Sequence, residues 1–94
     1  MTADQKFELQ VKDVFHFQDG QTVLIGPVRV GPNYFKSQAC ELLVDGVRRQ
    51  LLRIEGEMVA GPQQEQGYRS VSTKDMVKLA TSEPHEHVCT LRSA

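Results

Sequence analysis

The sequence predicts an all-β fold, a small closed antiparallel barrel of about six strands. Three observations predict it. Apolar and polar residues alternate in Phe7 to Lys12, again in Cys40 to Asp45, and again from Leu52 toward Met58. Alternation puts one residue set on each face of a half-buried strand. Two Asp-Gly pairs, Asp19-Gly20 and Asp45-Gly46, join apolar segments. That dipeptide favours two-residue hairpins, because a type I′ turn needs positive φ twice. Finally, the strands are short, and a 94-residue chain has room for only one core. Short strands joined by tight hairpins solve their edge problem by closing into a barrel or packing as a sandwich.

The first strand carries Phe7, Leu9 and Val11 on one side and Glu8, Gln10 and Lys12 on the other. Its phase is disturbed at Asp13-Val14-Phe15, which implies a β-bulge or sharp bend. The second runs from Thr22 to Val30, rich in β-branched residues. Pro27 has no N–H for a ladder, so it belongs at an edge or irregularity, and Gly26 beside it suggests a bend. Gly31-Pro32-Asn33 turns the chain, and Tyr34-Phe35 return it to the core. Cys40 to Val44 and Val47 to Val59 are the next two strands. In the longer one, Leu52, Ile54 and Met58 share a parity opposite to Arg49, Arg53, Glu55 and Glu57. That is one dry face and one wet face. Residues 60–67 read as an exposed polar loop, and Tyr68 to Ser72 as a short strand. Thr73 to Ala80 fits a helical turn capped by Thr73, with Met76, Val77 and Leu79 facing inward, or a strand. Ser82 to Glu86 is a loop around Pro84, and Val88 to Arg92 the last strand. The whole of 1–94 is expected to be one domain with its core at about 7–92.

Composition narrows the function classes. Eleven basic against 12 acidic residues give a net charge of −1, unlike the basic balance of general nucleic-acid binders. No apolar run approaches the roughly 20 residues of a membrane helix. The N-terminus lacks the basic start and apolar stretch of a signal peptide. Two cysteines are too few for a disulfide framework. The expectation is a cytoplasmic protein with reduced thiols and no membrane contact.

Phe7-x-Leu9-x-Val11-x-Asp13-Val14-Phe15, the turn after it, Thr22-Val23-Leu24-x-Gly26-x-Val28 and Gly31 together resemble the second, β-barrel domain of translational GTPases of the elongation factor Tu family. Cys40 to Val44 resembles that barrel's third strand, and His87 to Arg92 its closing strand. Gln21 stands where the family usually has glycine, and Pro84-His85 where its last turn usually reads Gly-Asp or Gly-Glu. There is no G-x-x-x-x-G-K-[ST] phosphate loop in the chain. The resemblance therefore implies a standalone barrel without a nucleotide switch, and an RNA or ribosome contact as one function.

Four groups of residues carry possible chemistry. His85-x-His87-x-Cys89 would align three zinc-type ligands on one strand face, although Cys89 and Leu91 fit core positions equally well. Cys40 or Cys89 with His16, His85 or His87 could make a nucleophile dyad, but no local signature orients one. Arg48, Arg49 and Arg53 could hold phosphate or carboxylate in guanidinium forks, with Arg49 and Arg53 on one strand face. Glu55 and Glu57 beside them suit an ordinary salt-bridged wet face. Phe15, Phe17, Tyr34 and Phe35 are core aromatics or, where exposed, a docking patch. The expected function is a non-enzymatic binding module without cofactor, working by protein–protein contact or self-association. RNA or ribosome contact is the alternative.

Overall fold

A computed structural model describes residues 6–31, 35–58 and 67–94. Seven strands form one antiparallel sheet: β1 (Glu8–Val11), β2 (Asp13–His16), β3 (Thr22–Val30), β4 (Gln38–Val44), β5 (Val47–Met58), β6 (Tyr68–Thr73) and β7 (Cys89–Ser93). A single helical turn, α1 (Glu83–Glu86), precedes β7. The order is β1-β7-β4-β5-β6-β3-β2, and β1 also pairs with β3, so the sheet closes on itself.

The expected six strands become seven because the first is broken at Lys12. β1 and β2 both lie antiparallel to β3, and the Lys12 amide donates to the Ile25 carbonyl between them at 2.7 Å. Buried positions change from Leu9 and Val11 to Val14 across this break, which is the phase disturbance seen in the sequence. Inward residues from every strand fill the interior. Leu9, Leu24, Leu42, Ile54, Val71 and Leu91 are fully buried there with Phe35.

The two Asp-Gly turns differ. Val44 pairs with Val47, and both Asp45 (φ 52°) and Gly46 (φ 84°) are left-handed, as a two-residue type I′ turn requires. At the other, Phe17 pairs with Gln21 and only Gly20 (φ 91°) is left-handed. The loop has three residues, Gln18-Asp19-Gly20, which corrects the two-residue expectation. The Asp19 carboxylate explains it by accepting from the Gln21 amide, an Asx-type bond that favours a right-handed Asp19.

Residues 74–82 form neither the expected helical turn nor a strand. They make an irregular strap beside β5 at one end of the barrel. Val77 and Leu79 enter the core, whereas Met76, expected inward, is 82% exposed. The helical turn falls instead at Glu83–Glu86, in the expected loop, where Pro84 occupies its first turn. Phe7 and Phe35 are buried as expected of core aromatics, but Phe15 and Phe17 stand about half exposed. Tyr34 and the polar stretch 60–66 lie outside the described residues.

Candidate binding surface

The site begins with a slip in register. Leu42 pairs with Gln50, but Leu43 pairs with Arg48, so Arg49 is an extra residue on β5. Such a bulge re-aims side chains. Arg49 turns to the strap, donating to the Lys78 carbonyl at 3.1 Å and to both carboxylate oxygens of Glu83 at 2.8 and 2.6 Å. The expectation that Arg49 and Arg53 share a face is corrected by this slip. Arg48 replaces Arg49 on the outer face, beside Leu51 and Arg53.

The β4–β5 and β4–β7 registers extend that face sideways. Leu51 lies opposite Glu41, and Glu41 opposite Arg92. The Glu41 carboxylate holds Arg92 by a hydrogen bond and faces Arg48 at 3.9 Å. The Arg53 guanidinium makes no hydrogen bond or ion pair among the described residues, although its backbone amide donates to Asp75 at 2.7 Å. Arg92 escaped the sequence reading because only the register places it here; its sequence signal is alternation with Leu91.

The strap completes the surface. The Gln50 side chain behaves like a ladder residue. Its Nε2 donates to the Met76 carbonyl at 2.9 Å, and its Oε1 accepts from the Lys78 amide. These bonds, with Asp75 on the Arg53 amide, hold Met76 alongside residues 50–53. The outcome is an apolar pair, Leu51 (60% exposed) and Met76 (82%), amid Arg48, Arg53, Arg92 and Lys78. Lys74 and Glu55 pair at its margin, 3.7 Å apart.

The histidines and cysteines are not gathered. His85 lies in α1 rather than on a strand, with Nε2 3.6 Å from Asp13. His87 Nδ1 is 2.7 Å from the Asp45 carboxylate, whose other oxygen accepts from the Val88 amide. That amide, and then His87, keep Asp45 below the usual carboxylate range. His16 Nε2 is 2.8 Å from the Leu79 carbonyl and Nδ1 3.2 Å from the Thr22 hydroxyl, tying β2 to the strap. Cys89 is buried, and burial pushes its thiol up, opposite to the shift that activates a nucleophile. Cys40 is buried too, with its thiol toward the Gln38 carbonyl. Among the described residues, no group of three or more His, Cys, Asp or Glu side chains is placed to hold a metal ion.

At the opposite end of β5 the bulge at Glu55 turns Glu57 inward, opposite Val71. Its carboxylate binds Arg69 at 2.5 and 2.9 Å and accepts from the Phe35 amide. The guanidinium lies 4.5 Å from the Phe35 ring centroid. This part-buried assembly packs against the core ring of Phe35. No helix among the described residues is long and apolar enough to cross a membrane.

No family model, no curated protein and no solved structure matches the chain.

Proposed function

We propose that the chain is a non-enzymatic binding module that docks a protein through the outer face of β7, β4 and β5 and the adjoining strap. One observation carries the reading: Leu51 on β5 and Met76 on the strap bonded to Gln50 and Arg53 both stand exposed, on a sheet whose strands are held in register on both sides. Methionine and arginine are enriched in interfaces, and an exposed apolar cluster with a polar rim is their usual form. A backbone fixed before docking lowers the ordering cost of association. The engagement of His16 and His87 with Leu79 and Asp45, and the raised thiol of Cys89, favour binding over catalysis.

The excess of cations on the face favours a second reading, an RNA or ribosome contact, which is also what the likeness to translation-factor barrels implies. Affinity capture from a lysate, with and without ribonuclease, separates the two. The protein reading expects ribonuclease-resistant partners that are lost from a Leu51→Asp/Met76→Asp variant of unchanged fold. Partners retained by that variant refute this face as the docking surface. Captured RNA that disappears steeply with salt and with Arg48→Glu/Arg53→Glu establishes the second reading.

A further inference from the structure

We propose that the occupant of this face is an acidic, extended segment of a partner protein, with one carboxylate on either side of an apolar side chain. The proposal rests on the docking reading above and commits it to one partner chemistry.

The spacing comes from the β4–β5 register. Arg48, Leu51 and Arg53 lie opposite Leu43, Glu41 and Ala39, three alternate residues of β4. Alternate residues of a strand share a face and stand about 7 Å apart. With Arg49 slipped out of the row, the outer face of β5 runs cation, apolar side chain, cation, and its ends are about 13 Å apart. Neither guanidinium is held closely. Arg53 has no hydrogen bond or ion pair from that group among the described residues. Arg48, 60% exposed, comes only within 3.9 Å of Glu41, which is already hydrogen-bonded to Arg92. Leu51 between them is exposed as well. An extended segment laid along β5 has the same period of two. Its first and fifth residues set carboxylates over the two guanidinium groups, and its third sets an apolar side chain over Leu51.

Carboxylate is the anion this fold already uses. Arg49, Arg69 and Arg92 are held by Glu83, Glu57 and Glu41, the match that a planar guanidinium offers to a planar acid. Three features disfavour a nucleic acid here. Glu41 stands opposite Leu51, inside the row, where a continuous phosphate backbone would meet a like charge. β4, β5 and β7 carry no aromatic side chain on which a base could stack; the exposed rings of Phe15 and Phe17 belong to the β2 end of the strand order, three strands from β5. Leu51, at the centre of the row, offers a phosphate nothing, whereas it gives a peptide side chain an apolar contact.

The test is a titration of the isotope-labelled full chain with a synthetic peptide whose core reads Glu-Thr-Leu-Thr-Glu, followed by amide shifts in NMR spectra. The largest shifts are expected at Arg48, Leu51 and Arg53 and on the facing part of β4, saturating at millimolar peptide or below. Glutamine in place of both peptide glutamates is expected to raise Kd roughly tenfold or more, as is Arg53→Glu. The variant Arg48→Glu/Arg53→Glu is expected to prefer the peptide with lysine in both glutamate positions, a reversal that an unfolded variant cannot show. Leu51→Asp loses the peptide while its spectrum stays dispersed. No saturable shift at millimolar peptide, equal affinity for the glutamine peptide, or shifts centred on Phe15 and Phe17 overturn the proposal, as does tighter binding of a mixed-sequence single-stranded RNA oligonucleotide. If the peptide fails while captured partners still depend on Leu51 and Met76, the acidic ligand alone is lost; captures indifferent to both end the docking reading with it.

Discussion

A β-carbon on Gly26 would stand 1.7 Å from the carbonyl oxygen of Gln10. β3 passes directly over the β1 backbone there, beside the break at Lys12, and the obstructing atoms are main chain. Gly26→Ala must move a strand rather than a side chain. We expect a loss of about 3 kcal/mol or more in urea unfolding. Gly20→Ala meets open space at φ 91° and should lose only about 1 kcal/mol, the cost of left-handed backbone.

Glu57 links pH to stability. Arg69, foremost, holds its carboxylate below the usual range near 4.5. A group with a depressed folded pKa stabilises above its unfolded pKa, and that stability is lost as pH falls through the folded value. Wild-type protein should therefore lose stability below about pH 4.5, and Glu57→Gln should flatten this acid limb. At neutral pH the variant removes the charge that faces the Arg69 guanidinium and should cost roughly 1–3 kcal/mol. Thermal melts across the acid range measure both effects.

Gln50 and Arg49 secure the strap differently. Gln50→Ala deletes both bonds to Met76 and Lys78, for an expected loss of about 1–2 kcal/mol. The Lys78 amide should exchange with solvent much faster. Arg49→Ala breaks an ion pair at the surface and should cost under about 1 kcal/mol.

Both thiols should be slow. Cys40 and Cys89 are buried in the barrel, and Cys89 ionises less readily than a free thiol. Native protein should react with a disulfide reagent far more slowly than free cysteine does. Two thiols per chain should titrate at once in denaturant. Fast stoichiometric labelling of the native fold would contradict this placement.

Strand positions and the hairpin at Asp45-Gly46 were legible in the residues, because period-2 alternation and left-handed turn chemistry are local. The bend at Asp13 was legible as a phase error. The turn at Asp19 was misjudged because the side-chain bond to Gln21 selects among loops that share Asp-Gly. The strap was misjudged because Met76, Val77 and Leu79 suit a helical face as well as an extended chain; Gln50 and Arg53, distant in sequence, decide between them. The arginine cluster was half legible. Its residues were visible, but the one-residue slip at Arg49 depends on pairing with β4, and Arg92 enters only through β7.

The ring's seam lies between its first strand and its last. β1 pairs with β7 along its length, and Phe7 and Ser93, 86 positions apart, exchange hydrogen bonds. During synthesis the strands emerge in numerical order, so β1 waits for the last of them. Until β7 clears the exit tunnel, the flanks of β1 and β4 that it will occupy are bare. The barrel thus closes only after β7 has been made, and a pause before Cys89 would leave those strand flanks uncovered.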